Sequence, residues 1–224
     1  LRHAEFYNVD IDIQSIDQYL TFDYIPGSKT LYDGIKKVLP GELVIFNNKD
    51  IIKKFYYYRP IADVDDAKIN NGLSNNEIVD LLQDKIEVSV RDRLVADVPI
   101  GVFLSGGLDS SLIAAIAGKL SPGIEAFTVK FDGSSYDESK EASQVAEKYN
   151  LKHHLLHYND ADLAKGWNDI LGRMDEPFAD ASIIPTYLLC KGAKEHVTVA
   201  LGGDGCDELF AGYPNFRSEE HTSE

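Results

Sequence analysis

The chain has 224 residues, room for one large domain or one and a half, and its 44% hydrophobic and 26% charged content is ordinary for a globular protein. A formal net charge of −15 argues against a nucleic-acid partner, because a phosphodiester backbone would be repelled over most of the surface; a nucleotide held locally with its metal is not excluded. Two cysteines, Cys190 and Cys206, make no disulfide framework and suit a reducing cytoplasm, and no apolar run reaches membrane-spanning length. The start, Leu1-Arg2-His3-Ala4-Glu5, resembles no signal peptide and lacks an initiator methionine, which reads as a piece of a longer chain. Residues 1 to about 60 are strand-like and irregular. Ser15 is placed to cap a short helix through Ile16, Tyr19 and Leu20, and Tyr24-Ile25-Pro26-Gly27 and Leu39-Pro40-Gly41 mark turns. Residues 41–46 and 51–56, split by Asn47-Asn48-Lys49-Asp50, predict a β-hairpin. Tyr56, Tyr57 and Tyr58 read as a half-buried strand end rather than a stacking platform. This segment is too small for a convincing core, and polar residues 61–74 follow as an inter-domain linker.

A helix then starts on a capping box, Ser74 with Glu77, and carries Ile78, Leu81, Leu82, Ile86, Val90 and Leu94 at helical spacing. Arg91 and Arg93 suit the negative end of its dipole. The apolar run 98–104 reads as a buried strand and 112–117 as a helix packed on a sheet. Between them lies Leu104-Ser105-Gly106-Gly107-Leu108-Asp109-Ser110-Ser111, a glycine-rich turn from the carboxyl end of a strand into a helix, where open α/β sheets bind ligands. The glycines allow close backbone approach, the first N–H groups of the helix favour phosphate, and Ser105, Ser110 and Ser111 add hydroxyl donors. Asp109 repels phosphate unless a divalent cation sits between them. The loop therefore asks for a polyphosphate and a metal. It has no G-x-x-x-x-G-K-[ST] pattern and no lysine for the terminal phosphates. It resembles instead the S-G-G-x-D-S signature of the ATP pyrophosphatase (PP-loop) enzymes, which cleave ATP between the α and β phosphates to adenylate a substrate oxygen.

Downstream, strands and helices alternate. Residues 125–131 predict a strand, Asp132-Gly133-Ser134 a turn, and Ser135 with Glu138 a capping box opening a helix whose Ala142, Val145, Ala146 and Tyr149 share a face. A strand at 154–158, helical segments at 163–171 and 185–195, and a strand at 197–201 complete an α/β pattern that implies a mostly parallel, doubly wound sheet. His153, His154 and His157 do not converge on one ion, because neighbours on a strand point to opposite faces. Val199-Ala200-Leu201 then runs into Gly202-Gly203-Asp204-Gly205-Cys206-Asp207-Glu208, which repeats the strand, acidic glycine turn and helix start. If both strands lie in one parallel sheet, both loops emerge at the same edge, where Asp109 and Asp207 share Mg²⁺ and Asp204 faces the reacting substrate. Glu208 reads as a complement to the helix dipole. Acids flanking Cys206 weaken its thiolate, so it reads as a small turn residue rather than a nucleophile.

Ser105-Gly106-Gly107-Leu108-Asp109-Ser110-Ser111 together with G-D-G-x-D-E-L-F-x-G-Y, from Gly203 to Tyr213, resembles the glutamine-dependent asparagine synthetase family of the AsnB type. Supporting stretches are Phe127-Thr128-Val129, Tyr136-Asp137-Glu138-Ser139 and Asp175-Glu176-Pro177-Phe178. The resemblance implies a PP-loop synthetase domain over 75–216, adenine nucleotide alpha-hydrolase-like in fold. Before it, residues 1–60 would be the closing part of an N-terminal nucleophile glutaminase domain. It also implies a pyrophosphate cradle from Ser105, Gly106, Gly107 and Ser110, with Asp109 and Asp207 on Mg²⁺. Leu104, Val129, Gly202 and Gly203 would line the adenine and ribose pocket, and Asp204 would be the catalytic acid near the acceptor carboxylate and arriving ammonia. The implied reaction converts aspartate to asparagine through β-aspartyl-AMP, with ATP and Mg²⁺ and with ammonia drawn from glutamine in the full-length protein. Cytoplasmic location, no nucleic-acid or membrane partner, and compatibility with a homodimer go with that reading.

The sequence departs from the family in several places. Gly202 stands where the family usually has serine, the cysteine nucleophile and most of the glutaminase domain are missing, and so is the helical C-terminal part with its lysine. Arg217-Ser218-Glu219-Glu220-His221-Thr222-Ser223-Glu224 resembles translated sequencing-adapter sequence, so a foreign or disordered tail is expected after about Phe216 and the piece alone is not expected to be a competent synthetase. The alternatives are an amidotransferase or β-lactam-forming relative acting on another carboxylate, and a non-catalytic ATP-binding module. A tRNA-modifying PP-loop enzyme is disfavoured by the charge and by the second motif.

Overall fold

The computed structural model describes residues 10–48, 50–59, 72–132 and 137–213. The expected linker lies mostly, and the expected C-terminal tail entirely, outside these residues. The chain divides into two compact units, one comprising the residues up to Ser74 with Leu171–Ala181, the other Asn75–Ile170 with the residues from Ser182 onward.

The first unit holds helix α1 (Ile13–Phe22) and the antiparallel hairpin of β1 (Glu42–Asn47) and β2 (Asp50–Tyr56), which confirms the predicted hairpin. Ser15 does not cap α1. Asp12 does, its side chain accepting from the Gln14 N–H at 2.9 Å, while buried Ser15 donates its hydroxyl to Asp12 at 3.0 Å. A carboxylate that satisfies an N–H, a hydroxyl and the Lys29 ammonium at once makes the better cap, so the helix begins earlier than a serine-based reading allows. Tyr56, Tyr57 and Tyr58 are more exposed than a half-buried strand end requires, because every residue of β2 is exposed.

The second unit carries a four-stranded, all-parallel sheet in the order β5-β4-β3-β6, made of β3 (Ile100–Phe103), β4 (Glu125–Phe131), β5 (Lys152–Tyr158) and β6 (Val199–Leu201). Its helices are α2 (Asn75–Arg93), α3 (Leu108–Leu120), α4 (Ser139–Lys148), α5 (Asp160–Leu171), α6 (Ile183–Ala193) and α7 (Cys206–Phe210). Alternation along the strands decides which helix covers which face. Val102 and Ala126 pack with Val90, Ala114, Ile116, Ala117, Ala142 and Ala146 beneath α2, α3 and α4, while Phe127 and partly buried Phe103 face Ala193 and Leu189 of α6. This is the doubly wound α/β arrangement the strand–helix alternation predicted. The alanines of α3 are small because that helix lies between sheet and neighbouring helices: a Cβ on Gly118 would sit 2.9 Å from the Tyr149 carbonyl.

Two boundaries differ from the sequence reading. Helix α4 opens at Ser139 rather than at Ser135, which lies outside the described residues, and Asp137 accepts the Ser139 N–H at 3.1 Å in place of the expected serine cap. In α2, Ile86, Val90 and Leu94 join the core, but Ile78, Leu81 and Leu82 of the same stripe are exposed.

Candidate active site

β3 and β6 are neighbours in parallel register, with Gly101 opposite Ala200 and Val102 opposite Leu201, so the loops that follow them emerge side by side at the carboxyl edge of the sheet. In the first loop Leu104 is buried and its N–H donates to the Phe127 carbonyl at 2.9 Å, fixing where the turn begins. Ser110 reaches back to close the turn. Its Oγ accepts the Ser105 N–H at 3.1 Å and meets the Ser105 Oγ at 2.8 Å, while the Ser105 Oγ accepts the Gly107 N–H at 3.2 Å. Gly106 has φ +92, and a Cβ there would lie 2.8 Å from the Glu138 carbonyl, so only glycine fits. Gly107 starts α3 with no side chain capping it, leaving the first N–H groups of the helix for a ligand.

The second loop rests on the first. A Cβ on Gly203 would lie 3.0 Å from both the Asp109 Cβ and the Ser110 N, so the backbone at Gly203 runs against the start of α3. Gly205, at φ +86, turns the chain into α7, and Tyr213 donates its hydroxyl to Glu208 at 3.0 Å. The Asp204 carboxylate occupies the space beside Gly202 into which a side chain would project.

Between the loops lies a cavity of about 660 Å³, within the usual range for small-molecule sites. It is lined by every predicted site residue except Gly106 and Ser111: Leu104, Ser105, Gly107, Asp109, Ser110, Val129, Gly202, Gly203, Asp204 and Asp207. Gly106 instead turns its backbone toward α4. Ser111 does not contribute as expected, since its Oγ is buried without a hydrogen-bond partner. Its neighbour in sequence faces the loop, but one step around a helix turns a side chain by about 100° and carries it away.

Three wall residues were not singled out as site residues from the sequence. Lys130 pairs with Asp137 at 2.8 Å, and the ammonium, with the hydroxyl and N–H of Ser139, holds the Asp137 carboxyl down to about 2. Thr128 donates its hydroxyl to the Leu104 carbonyl at 2.6 Å and sits 2.8 Å from His153 Nε2, tying the first loop to β5. The signal for Lys130 was its place beyond Val129 at the carboxyl end of β4; that for Asp137 was the Tyr136–Ser139 stretch.

Among the described residues, six carboxylates line the cavity, those of Asp109, Asp137, Glu138, Asp204, Asp207 and Glu208, against one lysine, Lys130. Burial raises the Cys206 thiol, and Asp109, Asp207, Asp204 and Glu208 raise it further, as expected for a turn residue and not for a nucleophile. Such a wall repels a bare polyphosphate and admits one accompanied by divalent cations. Asp109 and Asp207 offer the hard oxygens Mg²⁺ prefers. Among the described residues the cavity's acids do not converge as a three-donor cluster.

A parallel α/β sheet with two acidic, glycine-rich loops packed together at its carboxyl edge defines an α/β domain with a ligand-sized cavity at that edge. The chain belongs to the asparagine synthase family, whose sequence model matches residues 81–224. It is 34% identical over 214 residues to glutamine-hydrolysing asparagine synthetase 1 of Bacillus subtilis, covering 94% of this chain and 32% of that protein. It is 32% identical over 188 residues to glutamine-hydrolysing asparagine synthetase B of Escherichia coli, covering 75% and 32%. The chain thus spans about a third of the length of these curated relatives. Among solved structures, glutamine-dependent NAD⁺ synthetase from Acinetobacter baumannii in complex with ADP is 21% identical, with a TM-score of 0.43 over 58% of this chain and 26% of that one.

Proposed function

We propose that this chain supplies the ATP-binding and adenylating part of a ligase that converts aspartate to asparagine, with ammonia supplied from glutamine by the longer protein. The observation carrying the reading is the contact of Gly203 with Asp109 and Ser110, which puts both acidic loops on one cavity. The Ser105–Ser110 turn and the uncapped start of α3 cradle the β and γ phosphates, and Lys130, on β4, adds a positive charge to the cavity lining. Asp109 and Asp207 would hold Mg²⁺, which would supply charge neutralisation for the leaving pyrophosphate. Leu104, Val129 and the Gly202-Gly203 backbone line the adenine and ribose pocket. An oxygen of the aspartate β-carboxylate attacks the α-phosphorus, the bond to the β-phosphate bridging oxygen breaks, and pyrophosphate departs. Ammonia then attacks the acyl carbon of β-aspartyl-AMP, AMP leaves with the acyl C–O bond electrons, and the amide nitrogen loses a proton. Asp204, which lines the same cavity, orients the incoming amine in this scheme. The protein offers no covalent nucleophile; positioning and charge neutralisation carry the reaction.

Calorimetry on the parent chain beside Asp109→Ala and Asp207→Ala tests the site. Binding of ATP that requires Mg²⁺ and is lost in both variants is expected; binding indifferent to Mg²⁺ or to either substitution removes the reading. In the longer protein, aspartate-dependent formation of AMP and pyrophosphate is expected, and turnover with another carboxylate but not aspartate would reassign the acceptor.

A further inference from the structure

At the opposite edge of the same sheet, three donors of a different kind come together. Glu125 begins β4, His154 lies on β5, and His196 lies in the turn between α6 and β6. Their ligating atoms all fall within 4.8 Å of one another. We infer that Glu125, His154 and His196 form a binding site for a divalent transition-metal ion of the zinc type, separate from the cavity at the carboxyl edge.

The strand alternation that keeps His153 and His154 apart is what assembles this set. His153 turns to Thr128 on one face, while His154 turns with Phe127 to the other, where α6 ends. The His154 ring stacks on Phe127 with centroids 5.0 Å apart, and the His196 ring lies 4.1 Å from that of His154 and 5.7 Å from Phe127. Phe127 is fully buried, so the two imidazoles have a fixed apolar floor and cannot turn inward. Glu125, two residues before Phe127, projects to the same face. Its Oε1 is held by Lys152 at 2.7 Å, and its Oε2 is hydrogen-bonded to His154 Nε2. One carboxylate oxygen is thus anchored and the other aimed at the ring nitrogens, the arrangement in which outer contacts orient ligands toward an ion.

Two imidazoles and one carboxylate make a donor set that zinc accepts, with a remaining position left for water. Zinc–ligand distances of about 2.0–2.2 Å put two donors of one tetrahedral ion about 3.3–3.6 Å apart, so donors that lie within 4.8 Å of one another need close by no more than about 1.5 Å. His196 can supply that movement, since it is exposed and lies outside any helix or strand. His154 and Glu125, at 20% and 23% side-chain exposure, are the fixed half of the site. Ligation exchanges the His154–Glu125 hydrogen bond for two metal bonds and cross-links β4, β5 and the α6–β6 turn.

The test uses the tag-free chain, stripped with chelator, titrated with Co²⁺ as a visible-absorbing probe and with Zn²⁺ in competition with a chromophoric chelator. One equivalent of Co²⁺ with a four-coordinate visible spectrum is expected, displaced by Zn²⁺, together with a thermal midpoint that rises with Zn²⁺. His196→Asn and Glu125→Gln should each weaken Zn²⁺ by roughly tenfold or more. His157→Asn, on the same strand, and Asp207→Asn, at the other edge, should leave the Co²⁺ spectrum intact. Far-UV circular dichroism of the metal-free variants separates lost ligands from lost fold, and Zn²⁺-dependent shifts of the His154 and His196 ring resonances in the parent read the site without any substitution. The inference is overturned by Zn²⁺ affinity no better than millimolar in the parent, by binding that survives both ligand substitutions, or by ring resonances that do not move.

Discussion

Gly203 and Gly205 are glycines for different reasons, and substitution separates them. At Gly203 the obstacle is a neighbour: a methyl group would meet the Asp109 Cβ and the Ser110 N at 3.0 Å, and backbone cannot step aside as a flexible side-chain tip can. Gly203→Ala should push the second loop off the first and weaken Mg²⁺-dependent ATP binding by about tenfold or more, with the thermal midpoint little changed, since small misplacements in a positioned site are costly. Retained affinity in calorimetry would mean that the two loops do not act on one ligand. At Gly205 nothing lies within 4 Å, but φ is +86, so Gly205→Ala should cost about 1–2 kcal/mol of backbone strain, read as destabilisation in urea. Lys130 poses a different question, because this cation, the only one lining the cavity among the described residues, is already engaged by Asp137 at 2.8 Å. Lys130→Met should weaken ATP and release the Asp137 carboxyl upward from about 2 toward its ordinary 3.8, observable by carboxyl NMR titration; an unmoved Asp137 would remove the pairing.

Among the elements, strand β4 does two jobs, and the sequence displayed only one of them. Its residues 125–131 marked it as a strand, and strand–helix alternation implied a mostly parallel sheet, but the order β5-β4-β3-β6 came only from the structure. The two loops were legible because glycines, acids and serines exceed what a turn needs, and a shared edge followed if both strands lay in one parallel sheet; that β3 and β6 are direct neighbours came from the structure. What was not legible depends on three-dimensional placement, most of it set by partners distant in the chain. Asp12 displaced Ser15 as a cap through contacts that include Lys29, Ser111 was turned away by helical rotation, and His154 met Glu125 and His196 only after the sheet was assembled. Thr128 is the same kind of residue: inside an apolar strand, its hydroxyl bonds the Leu104 carbonyl and meets His153. Thr128→Val keeps the shape and removes both contacts, so a loss of about 1–2 kcal/mol is expected, with ATP affinity falling as the first loop loosens. Burial, and then the charge of neighbouring His154, lower the His153 pKa below its ordinary 6.5, so on acidification the unfolded chain takes up this proton before the folded one does. The His153 contribution to stability is therefore intact above about pH 6.5 and lost as pH falls beneath it. Urea midpoints at about pH 7.5 and about pH 5.5 should differ less in His153→Gln than in the parent; an equal difference assigns the effect to other groups.

For the molecule as a whole, the formal net charge of −15 and the six carboxylates around the cavity bear on one measurable quantity, the salt dependence of nucleotide binding. A nucleic-acid-binding surface releases counterions on binding and weakens steeply as salt is added. Here protein and ligand carry the same sign: ATP with one Mg²⁺ is still an anion approaching an acidic surface. Long-range repulsion opposes the encounter, and screening removes it, because the Debye length shrinks from about 30 Å at 0.01 M salt to about 8 Å at 0.15 M. Contacts inside the cavity, with Lys130, the Ser105–Ser110 turn and a shared Mg²⁺, lie within a few ångströms and are screened far less. The affinity for ATP with saturating Mg²⁺ should therefore rise modestly, by roughly twofold to fivefold, when KCl is raised over that interval, chiefly through a faster association rate. Without Mg²⁺ no binding is expected at either salt, because local repulsion from Asp109 and Asp207 is not screened at contact distance. Stopped-flow association with a fluorescent ATP analogue at fixed free Mg²⁺ gives the rate directly. An association rate that falls with added salt would place a basic approach path at the cavity, and charges beyond the acidic residues described here would then have to steer the nucleotide.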